Sequence, residues 1–220
     1  MTHSNTSDPT DPANKAWLEA RKALMEREKA HTRERAALAE ARRALPRLRI
    51  TKNYTFQGPT GELPLSDLFG DTSQLLVYHL MFGPGWTKPC IGCAQWANAL
   101  NGTTDTFAAA DATLIAVSRA PFEEMAAQQA RLGWTFGWYS SFGSDFNYDF
   151  YASNKDTSKG ATADTGLEIV EFDRGENHGV SVFVKDGDAI YHTYSAYNRG
   201  IEDLNGAFGY YDLLPKGRAW

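Results

Sequence analysis

The feature that most constrains this chain is the apolar run QLLVYHLMF, residues 74–82. It is followed by the turn GPGWTKP and then by Cys90-Ile-Gly-Cys93, directly ahead of a helix-like stretch. An apolar run bounded by Gly and Pro reads as a strand buried on both faces, and such strands belong to parallel sheets covered by helices. ATLIAVS (Ala112–Ser118) reads the same way, and WTFGWYS (134–140) can supply a third strand. Residues 94–110 and 121–132 read as the intervening helices, the second opened by Pro121. Strand, helix, strand, helix, strand predicts a parallel layer with right-handed crossovers.

Shorter elements flank this layer. TKNYTFQGPTGELPL reads as a hairpin turning at Gly58 to Gly61, and Leu65–Phe69 as a helical turn. Residues 153–166 are loop-like, VSVFVKDGDAIYHTYS is an antiparallel hairpin turning at Asp186 and Gly187, and a last helix is expected over about 200–213, ahead of Pro215. At the other end, residues 1–10 are a polar tail expected to be disordered. Asp11 and Pro12 then offer an N-cap and a first-turn proline to one long helix, which Pro46 stops. The expected organisation is a tail (1–10), a helical arm (11–50) and one α/β domain (51–220).

Charge separates arm from domain. Residues 15–49 hold eleven Lys/Arg against five Asp/Glu, a net of +6, whereas residues 50–220 carry −9. The basic residues are interleaved with Glu19, Glu26, Glu28, Glu34 and Glu40, as on a solvated, self-paired helix, so no nucleic-acid partner is expected. Trp17, Leu24, His31, Leu38 and Leu45 recur every seven residues, while Arg21, Glu28, Arg35 and Arg42 are charged. A stripe that narrow suits docking on a surface, and a homo-oligomer formed through this helix is expected. Two cysteines exclude a disulfide-rich secreted scaffold. With no apolar signal core and no run near the ~18 to 20 apolar residues of a membrane span, the expectation is a cytoplasmic protein without a membrane partner.

In a parallel sheet, functional groups gather beyond the carboxyl ends of the strands. Here those segments are MFGPGWTKPCIGC, SRAP and SSFGSDFNYDF. Cys90, at the first turn of its helix and near Lys88, has the unpaired N–H groups and dipole end that favour a thiolate. Cys93, one turn later, has the position of a resolving thiol. A second reading is a metal site, copper or zinc, made by Cys90, Cys93 and His178 of the ENHGV segment. His79 and His192 lie within expected strands and read as structural. Asp145 and Tyr148 in GSDFNYDF are candidates for the site wall, and Arg119, after the second central strand, for binding a thiolate or an anion.

The order of strand, CxxC, helix, strand, helix, hairpin and helix is similar to that of thioredoxin-like domains. The extra hairpin ahead of the CxxC strand is similar to their peroxiredoxin-like branch. That resemblance adds a third reading, a thiol peroxidase: Thr87 stands three residues before Cys90, as in the pattern P-x-x-x-T-x-x-C, although Pro84 is one residue out of register, and Arg119 would assist. VYHLMFGPGW, CxxC followed by W-A, VSRAP, SSFGSDFNYDF and GVSVFVKDGDAIYHTYSAYNRGIEDLNGAFGYYDLLPKGR together resemble the bacterial DUF899 family. The resemblance implies a thioredoxin-like, peroxiredoxin-like three-layer sandwich with an N-terminal helical extension. The family's function is uncharacterised, so the expected activity is read from the Cys90–Cys93 couple: dithiol–disulfide oxidoreduction with no required cofactor, acting on a protein or small-molecule thiol or disulfide. Ile91 and Gly92 stand where the family usually has Pro and Ser, Asn98 stands where an acidic residue is expected, and HGVSVF lacks the proline that thioredoxins carry before the hairpin strand.

Overall fold

The computed structural model describes residues 11–155, 162–164 and 169–218, so the expected tail lies outside the described residues. Asp11 caps helix α1 (Pro12–Arg43), its carboxylate accepting from the Ala13 N–H at 2.8 Å, and Arg42 and Arg43 complement the helix dipole in the last turn. Ion pairs Arg21–Glu28 (2.9 Å) and Lys29–Glu26 (2.8 Å) lie within the helix, in the self-paired pattern expected of its charges. The chain divides into two units, one ending at Pro46 and the other running from Arg47. No described helix is long and apolar enough to cross a membrane.

The second unit is built on an eight-stranded sheet. Its strands are β1 (Leu48–Ile50), β2 (Thr55–Gly58), β3 (Gly61–Pro64), β4 (Gln74–His79), β5 (Ala112–Ser118), β6 (Gly137–Ser140), β9 (Gly179–Asp186) and β10 (Ala189–Tyr197), in the order β1-β10-β9-β4-β5-β6-β2-β3. β4, β5 and β6 are parallel, while β9 runs antiparallel to β4 and β10 to β9. Helix α2 (Ile91–Leu100) connects β4 to β5, and α4 (Phe122–Leu132) connects β5 to β6. A βαβ unit joined through β9 to a hairpin and a closing helix, α6 (Gly206–Tyr211), is the thioredoxin-like fold. The β2–β3 hairpin ahead of β4 is the peroxiredoxin-like addition.

Alternation along β4 and β5 divides the core. Tyr78, Leu114 and Ala116 face a cluster completed by Cys93, Trp96, Ala97 and Leu100 of α2, with Trp134, Phe136 and Trp138. Leu75, Val77, Ile115 and Val117 face the other cluster, with Phe69, Phe146, Phe150 and Phe183. Fully burying side chains of this size contributes about 2 to 3 kcal/mol each, so both faces hold β4 in the centre of the sheet.

Several expected elements differ. The helix expected over 94–110 is two helices, α2 and α3 (Thr104–Ala108). Asn101 leaves the helical conformation, Gly102 takes φ +84°, and the Asn101 side chain accepts from the Thr135 N–H at 2.8 Å. The final helix is likewise divided into a 3₁₀ turn (Asn198–Leu204) and α6, because Asn205 caps α6 by accepting from Ala207 N–H at 3.0 Å. The third central strand begins at Gly137, since Trp134 and Phe136 turn into the core. Leu48–Ile50, read from sequence as part of the arm, pairs with β10, and the hairpin turn falls at Gly187 and Asp188, one residue later than expected. Within the expected loop, β7 (Thr162–Asp164) pairs with β8 (Ile169–Glu171), while 156–161 and 165–168 lie outside the described residues. A short helix, α5 (Phe146–Asp149), occupies the SDFNYDF segment.

His79 is 1% exposed, and its Nε2 begins a buried chain: Ser181 Oγ at 2.8 Å, then Ser195 Oγ at 2.7 Å, then His192 Nε2 at 2.7 Å. Among the described residues, His79 Nδ1 has no hydrogen-bond partner. Burial, with a smaller contribution from His192, lowers the His79 pKa from 6.5 to about 3. The folded protein therefore refuses a proton that the unfolded chain accepts below pH 6.5, so stability falls as pH drops through that range. We expect His79→Gln to lose about 2 kcal/mol less stability than the native chain between pH 7 and pH 5, read by urea unfolding. Equal losses would remove His79 as a source of acid sensitivity.

Candidate dithiol site

The chain leaving β4 turns through Gly83 to Pro89 and delivers Cys90 as the N-cap of α2. The Cys90 N–H donates to the Met81 carbonyl at 3.0 Å, and its carbonyl accepts from Ala94 at 2.9 Å. Cys90 is half-buried and Cys93 is buried at 4% exposure; both are free thiols. The Cys93 side chain and the backbone N–H groups of Cys93 and Gly92 favour the ionised Cys90 sulfur. These lower its pKa from 9.0 to about 6, the Cys93 thiol contributing most, against the opposing effects of burial and of the Asp173 carboxylate. The Cys93 thiol is pushed well up, first by its bond to Cys90 and then by burial, so the proton stays on Cys93. Behind the pair, Tyr78 stacks on Trp96 at 4.2 Å, and burial keeps its phenol protonated.

A cleft of about 780 Å³ opens on this pair. The first turns of α2 form one wall with Cys90, Cys93 and Trp96; the segment after β8 supplies Asp173 and His178, and the 3₁₀ turn supplies Glu202. His178 therefore does share a cleft with both cysteines. Burial lowers its pKa and keeps the imidazole neutral. Among the described residues, however, no three His, Cys, Asp or Glu side chains converge closely enough to hold a metal ion, so Cys90, Cys93 and His178 do not form a coordination set.

Thr87 and Arg119 do not line the cleft. Thr87 is exposed, and its carbonyl accepts from the Gln128 side chain at 3.1 Å. Arg119 is engaged elsewhere: its Nε and Nη2 donate to Glu176 Oε1 at 2.9 and 2.6 Å, and its Nη1 donates to the Tyr148 hydroxyl at 2.8 Å. Asp145 is bonded to Lys52 at 2.7 Å, and neither it nor Tyr148 reaches the cleft.

Sequence reasoning passed over Glu176, two residues before His178. It is 1% exposed, and its Oε2 accepts from Ser153 Oγ at 2.6 Å. Ser153 is joined to Asn147, and Asn147 to Ser141 at 2.7 Å, so a buried polar network links the SSFGSDFNYDF segment to the wall of the cleft. Burial raises the Glu176 pKa although Ser153 and Arg119 pull it down. Gly83 is required here, because a Cβ at that position would stand 2.9 Å from Glu176 Oε1. Paired backbone bonds between Asp173 and Glu176 (2.8 and 3.0 Å) close the turn, and the Arg174 guanidinium lies 3.7 Å from the centre of the Trp86 ring. The signal in the sequence was a glutamate beside a candidate ligand, and nothing in its spacing distinguished it from a surface residue.

The chain is similar to several solved structures. A PrxQ mutant from Xylella fastidiosa is 14% identical with TM-score 0.46, covering 71% of this chain and 88% of the other. A candidate thiol:disulfide interchange protein DsbE from Chlorobium tepidum is 13% identical with TM-score 0.45, covering 76% and 95%. Peroxidoxin BcpB from Mycobacterium tuberculosis is 14% identical with TM-score 0.40, covering 70% and 84%. Likenesses this remote carry no argument about chemistry, and the fold assignment rests on strand order. No curated protein matches the sequence. The family model described as a bacterial protein of unknown function, DUF899, matches residues 7–220, and the chain belongs to that family.

Proposed function

We propose that this protein is a dithiol–disulfide oxidoreductase in which Cys90 is the nucleophile and Cys93 the resolving thiol. The observation that carries this reading is the position of half-buried Cys90 at the N-terminus of α2, lining the cleft one helical turn before buried Cys93, with its pKa lowered to about 6. Cys90 is then a thiolate at neutral pH, open to a cleft, with its proton donor one helical turn away.

The reaction balances without a further reactant. The Cys90 thiolate attacks one sulfur of a substrate disulfide, forming a mixed disulfide and releasing one thiolate. Cys93 loses its proton and attacks the Cys90 sulfur, breaking the mixed disulfide and releasing the second thiolate. The dithiol loses two electrons and the substrate gains them; of the two protons the released thiolates take up, one is that of Cys93 and the other comes from solvent, which received it when Cys90 ionised. A cytoplasmic location is part of this reading, since a reducing compartment returns such a dithiol to its reduced form. The α1 stripe of Trp17, Leu24 and Leu38 supports self-association through the arm.

We expect alkylation of reduced protein by iodoacetamide to rise with pH, with a midpoint near 6, and to level off by neutrality. In Cys93→Ala the midpoint should move up by about one unit or more, because the largest stabilising bond is gone. A native midpoint near 9 would refute the activated thiolate. Cys90→Ser should abolish reduction of 2-hydroxyethyl disulfide, and Cys93→Ser should accumulate a mixed disulfide on Cys90 visible by intact mass. Stoichiometric copper or zinc on the reduced protein, lost in Cys90→Ser and in His178→Ala, would replace the redox reading with a metal site.

A further inference from the structure

The charges around the cleft are unequal. Among its described lining residues the charged side chains are Glu171, Asp173 and Glu202 against Arg199, and His178 is neutral. Arg199 points to Glu202, its Nε 3.2 Å from Glu202 Oε1, on a side chain that is 90% exposed and screened by solvent. Glu202 also bonds Arg218 at 3.1 Å, a guanidinium shared with Asp212 at 2.6 Å, so Glu202 is balanced by nearby cations. The remaining pair is not. Asp173 meets Arg174 only at 3.7 Å between two exposed groups, an arrangement that neutralises little. Glu171, exposed on β8, has no ion-pair partner among the described residues. The Asp173 charge reaches the reacting sulfur, since it opposes ionisation of Cys90. Trp96 and Phe172 contribute to the same walls but are nearly buried, so the carboxylates are the groups a charged ligand meets.

Resting on the dithiol reading above, we propose that this cleft selects disulfides whose sulfurs are flanked by cationic amines, and that Glu171 and Asp173 are its specificity-determining residues. The Cys90 thiolate and the two carboxylates together repel an anionic disulfide such as that of glutathione, whereas ammonium groups a few bonds from the sulfur meet both carboxylates. A cleft of about 780 Å³ has room for a small diamine disulfide or for a lysine-flanked cystine of a peptide.

The test is single-turnover oxidation of the fully reduced native chain by cystamine, 2-hydroxyethyl disulfide and glutathione disulfide. Dithiol loss is followed by acid quench, thiol labelling and mass spectrometry. Asp173→Asn also changes the ionisation of Cys90 and with it the reactivity toward every disulfide, so the readout is the ratio of each rate to that of the neutral compound. The cystamine ratio should fall about fivefold or more in Glu171→Gln/Asp173→Asn, and the glutathione ratio should rise, the scale expected for losing close charge pairs in a solvated site. Salt at about 0.5 M should compress both native ratios. A lysine-flanked peptide disulfide matching the cystamine ratio would assign the cation to a peptide, and a lower ratio would assign it to a small amine. Ratios unchanged in the double variant, with the neutral disulfide still reduced, overturn the selectivity and leave the dithiol chemistry standing. Failure to reduce even the neutral disulfide overturns both.

Discussion

Strand β4 is hydrogen-bonded along both edges, to β5 in parallel and to β9 antiparallel, and is packed on both faces. This arrangement satisfies its backbone while burying Leu75 and Val77 on one side and Tyr78 on the other. Once β4 is held this way, the chain leaving its carboxyl end has one direction to go. The Met81 carbonyl then receives the Cys90 N–H, so the start of α2 is tied to the end of the strand rather than left on a free loop. That tie sets the Cys90 sulfur beside the Cys93 side chain, the largest cause of its low proton affinity, and near the free N–H groups of the first turn, which add to it.

The wall facing the dithiol is held by different means. Arg119 and Glu176 form a nearly buried pair at 2.6 Å, with side chains 16% and 2% exposed. A buried ion pair is a weak source of net stability, since desolvating both charges costs about what their attraction returns. Its effect here is positional. Glu176 accepts from Arg119 and Ser153 at once, leaves no room for a side chain at Gly83, and sits between the Asp173 turn and His178. The segment that carries Asp173 and His178 is thus fixed relative to the ends of β4, β5 and β6.

Much of this frame was legible in the residues. Buried strands announce themselves by unbroken apolar runs, and β4 and β5 lie within 74–82 and over 112–118, as their composition predicts. The hairpin at Gly58 to Gly61 and the cap at Asp11 are local chemistry and were readable for that reason. Breaks within helices were not. Asn101 and Asn205 end or begin helices according to which distant or neighbouring N–H groups their side chains bond, and an isolated Asn in a helical pattern does not disclose that. The β7–β8 pair was missed because three-residue strands lack a period to detect.

The candidate site divides along the same line. Sequence alone determined that Cys90 and Cys93 stand one turn apart at a helix start beyond a buried strand, because that spacing is covalent and local. It also brought ENHGV toward them through strand order. Only the tertiary structure decided that His178 shares the cleft without completing a metal-binding set, that Thr87 faces solvent, and that Arg119 is committed to Glu176. Those outcomes depend on distances between side chains far apart in sequence. Such distances are set by the packing of whole elements against one another, and no local pattern encodes them.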